Sequence, residues 1–472
     1  MRRRRMESIR VRMRFVFVAT CLFVGHALAH AQSSLSVASQ RPFVIGVVPV
    51  VGNGGAVGGV AIDANGALRR AEPRDVLALG AARQAALEGV AGDVSQPSKL
   101  RKISLRRLDA LLAQHARQNK PLPPEVLYLA GLQRIEYVFA YPELNDVVLA
   151  GPAEGWTVDD AGTAVGVNSG AAVIQFVDLV AALRTIDKLL AGEIISCSID
   201  PTPAGLQRFA RLMRARPASP SAQLVRRMEQ AVGPQAIKLT GLPPDSHFAH
   251  VLVAADWQMK RLAMGLAPSP VNGLPSHLEL LKASRARAPR NALPRWWIAF
   301  GREPVERDPE GLGWRLSPPG VEVRTAAASL DADGRIAAEI ESDPVAQQWA
   351  DAMTTHYDEL AIAQPVFAQL RGCMDLALVA AVLASGDLLT HVGLELPMLL
   401  DAARLELAPH PVPKTVASHA TALRRSREWI VAVSGGVELD VTRAVNNAGV
   451  QRSVQEQRTH AAPQNAAAWW WD

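Results

Sequence analysis

The chain has 472 residues, 49% apolar and 20% charged, with three cysteines and a formal net charge of +5. That length holds two to three ordinary domains with real cores. The composition excludes a wholly disordered chain, and three cysteines exclude a disulfide scaffold. A basic balance would suit a nucleic-acid partner if it belonged to the folded part.

It belongs to the first 31 residues. Arg2, Arg3, Arg4, Arg5, Arg10, Arg12 and Arg14 stand there against a single acid, Glu7. The apolar run Phe15–Val24 follows, then Ala29-His30-Ala31. A charged segment, a short apolar core and a small-residue site are the parts of a secretory signal peptide, and the core is too short to span a bilayer. Cleavage after Ala31 is expected to leave 43 basic and 44 acidic residues, from totals of 50 and 45. The expected protein is exported, periplasmic or extracellular, with no nucleic-acid partner. No later run reads as a membrane span, because Ser385-Gly386-Asp387 interrupts Leu376–Ala384.

In chain order, Phe43–Val51 reads as a buried strand before a glycine-rich turn. Two runs around Asn65-Gly66 read as a hairpin, and Asp331-Ala-Asp-Gly334 repeats that turn chemistry. From residue 76 the pattern is helical. Ser104 is placed to cap a helix carrying Leu105, Leu108, Leu111 and Leu112. Strands are expected at 135–140, 147–150, 172–176, 194–199 and 236–242. Helices are expected at 178–190, 203–214, 221–232 and 246–264. After a change of texture at 285–294, the runs 295–301, 313–317 and 320–324 read as an antiparallel meander. Helices at 344–361 and 365–384 and a strand pair near 428–442 follow. The segments are then 1–31 signal peptide, 32–95 strand, turn and helix, 96–290 an α/β domain, 291–445 an α+β domain, and 446–472 a mobile, dispensable tail. The fold class is α+β in mixed layers, helix-rich, with several small sheets and more than one subdomain.

Candidate chemistry is sparse. Gly52, Gly54, Gly55, Gly58 and Gly59 follow a strand, but the spacing is not that of a dinucleotide fingerprint and no helix follows, so no cofactor is expected. Asn168-Ser169-Gly170 has the form of a nucleophile turn without a histidine base placed for it. His247 and His250 stand one turn apart behind Asp245, and His356 and Glu359 repeat the spacing. Two such side chains could serve a metal only with a third ligand, which nothing identifies, so no metal is assigned. Asp256 and Lys260 form an i,i+4 pair, either a surface ion pair or the lining of a cleft with Lys260 as anion anchor. Lys99, Arg101, Lys102, Arg106 and Arg107 crowd nine positions and read as a solvated face or a grip for a polyanion. Cys197 and Cys373 both lie on apolar faces; they either pair in an oxidising compartment or stay buried as thiols. Trp469, Trp470 and Trp471 are unusual in a tail and could dock on the body, a partner or a sugar.

Five stretches stand in order along residues 100–445: Leu129–Trp156, Cys197–Phe209 (CSIDPTPAGLQRF), Ala254–Leu281 (AADWQMKRLAMGLAPSPVNGLPSHLELL), Pro365–Ala381 and Ser434–Asp440 (SGGVELD). Together they resemble an uncharacterised family of exported bacterial proteins, the domain of unknown function 1598. The resemblance implies an exported globular protein and no activity, cofactor or catalytic residue. Asp256, Met259 and Lys260 stand out within it. Two functions are carried forward: a non-catalytic binding or envelope-associated protein with an envelope or cell-wall partner, and an exported hydrolase assembled from Asp256, Lys260, His247 and His250.

Overall fold

The computed structural model describes residues 43–45, 57–62, 68–72 and 92–472, apart from 160–162, 216–220, 285–291, 317–319, 331–335, 341–342, 411, 420–422, 426–427, 431–433 and 464–469. The signal-peptide features, Gly52–Gly55 and the helical pattern from 76 to 91 lie outside the described residues. The strands Val60–Ile62 and Leu68–Arg70 pair antiparallel around Asn65-Gly66, as their turn chemistry predicts.

Alternating burial builds the sheets. In Ile195–Pro201, Ile195, Cys197 and Ile199 are buried while Ser196, Ser198 and Asp200 are partly exposed. The strands used below are Ser98–Ser104 (β1), Tyr137–Tyr141 (β2), Asp146–Ala153 (β3), Ile195–Pro201 (β4), Gln235–Thr240 (β5), Ala292–Phe300 (β6), Val305–Arg307 (β7), Gly313–Leu316 (β8), Val321–Leu330 (β9), Ile336–Ile340 (β10), Thr415–Val416 (β11), Ser434–Leu439 (β12) and Gly449–Val450 (β13). A seven-stranded sheet runs β10-β9-β6-β12-β4-β5-β11, and a six-stranded sheet runs β13-β7-β8-β2-β3-β1. The fold is α+β.

Pairing departs from the expected local order in three places. The stretch 295–324 is no simple meander: β6 pairs with β9, while β8 between them pairs with β2 of the other sheet. Strand patterning shows which residues alternate, not which distant strand they meet. The larger sheet also takes β4 and β5 from before residue 290 and β6, β9 and β10 from after it, so it runs across the change of texture. The expected strand pair near 428–442 does not form within itself: Glu428–Ile430 pairs with Leu423–Arg425, and Ser434–Leu439 pairs elsewhere. Here β12 lies between β6, parallel, and β4, antiparallel. A Cβ on Gly436 would fall 2.4 Å from the Cys197 carbonyl oxygen, so the strands close only around glycine.

The helices used below are Leu105–Gln118 (α1), Phe176–Leu183 (α2), His247–Ala263 (α3), Pro344–Thr355 (α4), Pro365–Ala384 (α5), Val441–Asn446 (α6) and Arg452–Ala461 (α7). The Ser104 hydroxyl accepts from the Arg107 amide and starts α1. Ser246 does the same for α3 through Ala249. The expected strand at 172–176 is absent; its end is the first turn of α2, with Phe176 buried. Nearly all of α5 is buried, against α2, α3 and α6. The segment Pro365–Val392 is long and apolar enough to cross a membrane, yet 72% of its apolar window is buried inside the protein, as in the core helix of a globular body.

The C-terminal tail is ordered where it is described. In α7, Arg458 sits 3.0 Å from the buried Asp308 carboxylate and also meets Glu310, while the Tyr141 hydroxyl donates to the Arg458 carbonyl. Further on, Trp470–Asp472 lie along β1. The Lys102 and Ser104 amides donate to the Asp472 and Trp470 carbonyls, and the Asp472 amide donates to Lys102. Trp470 and Trp471 pack on Val94, Tyr128, Ala130, Trp156, Ala164 and Val173. Where it is described, the tail is therefore packed against the body. The polar composition of 446–468 hid the fact that its end covers the exposed edge of a sheet. Deleting Trp470–Asp472 is expected to lower stability by about 2 kcal/mol or more, the scale of losing large buried side chains, seen as a lower melting temperature; an unchanged melting temperature would refute the docking.

Candidate functional site

The core of the structure encloses the four residues that chemistry in the sequence singles out. Helix α3 is apolar on nearly every side, so the polar residues it carries are drawn inside with it. His247 Nδ1 lies 2.9 and 3.0 Å from the two carboxylate oxygens of Asp178 on α2. His410 packs edge-on against His247 with ring centroids 5.2 Å apart. One turn along, His250 is 1% exposed and its Nε2 has no partner. Burial, with the nearby rings of His247 and His410, pushes His250 down to about 3, so it is neutral at pH 7. Among the described residues no group of three His, Cys, Asp or Glu side chains is arranged to hold a metal ion.

Asp178 also accepts from the Cys373 thiol on α5. A nucleophilic cysteine needs a base such as an imidazole beside it, or surroundings that lower its pKa. Here a carboxylate stands between the two, and burial, then the charges of Asp178 and Asp375, hold the thiol well above its ordinary range. The crevice beside them, lined by Gln175, Asp178, Gln369 and Cys373, has room for about one water molecule. The grouping is a strut tying α2, α3 and α5 together. Cys197, on β4, is likewise a buried free thiol, raised by burial first and by Asp256 second. The disulfide that two cysteines allow is not formed.

Asp256 and Lys260 are a core pair and not a surface one. The Lys260 ammonium lies 2.9 Å from Asp256 Oδ2 and donates at 2.6 Å to the Ile199 carbonyl of β4. Asp256 is fully buried and its Oδ1 has no partner. Burial outweighs the attraction of Lys260 and lifts the Asp256 carboxyl to about 6. Met259 is fully buried beside them. His356 sits 3.4 Å from the exposed Glu359.

Ser169 is committed elsewhere. Its hydroxyl and amide, with the amide and side chain of Asn168 and the side chain of Gln133, all donate to the Glu154 carboxylate. Burial acts against ionisation, but these bonds prevail and hold Glu154 down at about 2. The nucleophile-like turn is thus an anion cradle filled by the chain's own glutamate. The basic run is divided too. Arg101 is 3% exposed, donates to the Val94, Ala130 and Gln96 carbonyls, and lies 5.3 Å from the centre of the Trp471 ring. Lys102 pairs with Asp472 at 2.5 Å. The run lies partly on a strand, where alternation sends Arg101 inward, so neither a solvated face nor a polyanion grip describes it.

An open concavity lies at another place, beyond the carboxyl ends of the parallel neighbours β6 and β12. It is a cleft of about 260 Å³ with Phe300, Arg302, Arg324, Glu438, Asp440 and Arg443 in its walls and Ala444 and Asn447 of the α6 region beside them. Arg324 donates to the Phe300 carbonyl and pairs with Glu322, and Arg443 pairs with Asp440.

Residues 197–277 match a family model described as "Protein of unknown function (DUF1598)". The DUF1598 stretch runs from Cys197 on β4 through β5 and α3 to His277, so it contains His247, His250, Asp256 and Lys260 together. This bears out the resemblance carried by the Cys197 and Ala254 motifs. No curated protein and no solved structure matches the chain. Within the DUF1598 stretch, His247 meets Asp178 and Lys260 donates to the Ile199 carbonyl, so both join α3 to its neighbours.

Sequence inspection missed the cleft residues Arg302, Arg324 and Arg443, which are separated by long intervals and follow no motif. Only SGGVELD, which contains Glu438 and ends on Asp440, pointed there. It also missed Asp375, which takes two bonds from Arg134 and one from the Ile135 amide.

Lys260→Met is expected to cost about 3–5 kcal/mol at pH 7, because it strands a buried carboxylate. A carboxyl raised in the folded state destabilises the fold above its folded pKa, and that cost vanishes as pH falls towards its unfolded value. The loss should therefore shrink towards about pH 5, and Asp256→Leu/Lys260→Met should lose less than Lys260→Met alone. Urea denaturation of the three proteins at both pH values checks this; equal losses at the two pH values would refute the buried, raised carboxyl.

Proposed function

We propose that the chain is an exported, non-catalytic binding protein whose ligand site is the cleft at the ends of β6 and β12. The observation that carries this reading is the contrast in exposure. His247, His250, Asp256 and Lys260, on which a hydrolase would draw, are enclosed in the core, whereas Arg302 and Glu438 stand exposed in the walls of an open cleft. A concavity on which a few charged groups converge can fix a small polar ligand. The cleft lies at the carboxyl ends of two adjacent parallel strands, the end at which open α/β sheets carry their ligands. Export rests on the arginine-rich segment, apolar run and Ala29-His30-Ala31, and it places the ligand or partner in the envelope or outside it.

Two measurements test the two halves. Mass spectrometry of the protein recovered from an exporting host should find Gln32 as the first residue; a chain that keeps Met1 would refute export. A thermal-shift panel of small polar metabolites should include compounds that raise the melting temperature of the wild type but not of Asn447→Trp, which fills the cleft from an exposed position. A panel without such a compound would refute the site.

A further inference from the structure

The charges of the cleft narrow the ligand. Three guanidinium groups and two carboxylates line it, but they do not count equally. Arg324 is spoken for by Glu322 and the Phe300 carbonyl, and Arg443 by Asp440, whose other oxygen also accepts the Arg443 amide at the start of α6. Among the described residues, Arg302 and Glu438 have no hydrogen-bond or ion-pair partner, and both are exposed. The cleft thus offers one uncommitted cation and one uncommitted anion.

We infer that it takes a small zwitterion bearing an amine and a carboxylate, of the size of an amino acid, with Arg302 on the carboxylate and Glu438 on the ammonium. This rests on the reading of the cleft as the ligand site. A simple anion such as phosphate would satisfy Arg302 but lie against Glu438, and a simple amine would meet the converse repulsion from Arg302. Only a ligand carrying both charges pairs both walls. Guanidinium suits a carboxylate because its planar donors match two oxygens at once. The volume of about 260 Å³ is at or below the low end of pockets for drug-sized molecules, so it suits an amino acid. Ala299, Phe300, Pro304 and Ala444 supply apolar floor for a short side chain.

The test is calorimetric titration of the full protein with the twenty L-amino acids, with the N-acetyl and amide derivatives of each binder, and with inorganic phosphate and ethylamine. At least one amino acid is expected to bind. Arg302→Ala and Glu438→Ala, both at exposed positions and checked for unchanged melting, should each weaken it by at least about tenfold, the scale of one charged hydrogen bond. N-acetylation should weaken binding to the wild type but add nothing to Glu438→Ala, and amidation should behave likewise with Arg302→Ala. Phosphate or ethylamine bound more tightly than every amino acid, or an amino acid indifferent to both substitutions, overturns the zwitterion. If no amino acid binds while a metabolite of the wider panel still distinguishes the wild type from Asn447→Trp, the inference fails and the ligand site stands. If neither set binds, both fail.

Discussion

Helix α5, Pro365–Ala384, has no face to offer water, and this constraint organises the described body. A helix apolar on every side must be covered on every side. Its neighbours are α2, α3 and α6, with β8 of the smaller sheet touching it as well. Helix α3 in turn lies on β4 and β12 of the larger sheet. The principal core consequently runs through both sheets and the helices between them as one cluster.

A core this continuous contains polar groups that must find partners inside it, and they become its joints. Asp178 connects α2 to His247 on α3 and to Cys373 on α5. Asp375 fastens α5 to Arg134 and to the backbone entering β2. Asp109 of α1 accepts the amides of Met398 and Leu399. Lys260 reaches back from α3 to the backbone of β4. Each is costly to desolvate and more costly to leave with its partner removed, so such pairs define which element meets which more than they add net stability. Burial and these partners also set the protonation of the groups they hold. His250 is held neutral, Cys373 is held protonated, and Ser169 spends its hydroxyl on Glu154.

Local features were legible wherever the cause was local. Ser104 and Ser246 cap helices because a hydroxyl next to free amides needs nothing distant, and the hairpin around Asn65-Gly66 follows from its turn chemistry. Pairing between remote strands was not legible. Gly313–Leu316 reads as a strand in isolation, yet one of its two partners, Tyr137–Phe139, lies far back in the chain. The choice among the body, a partner and a sugar for the tryptophans was open for the same reason: Trp470 and Trp471 are anchors only because β1 and the Tyr128–Trp156 surface are there to receive them. Asp256 and Lys260 were correctly paired by spacing, but spacing carries no information on burial.

The sequence alone determined the α+β class, the main helices and strands, the likeness of its middle to DUF1598, and the concentration of excess positive charge in the first residues. These depend on neighbours along the chain. The tertiary structure decided that the thiols stay free, that His247, His250, Asp256 and Lys260 are buried, and that Arg302 and Glu438 share a cleft. Those outcomes depend on which surfaces meet. A side chain acquires its chemistry from groups that folding brings to it from hundreds of residues away.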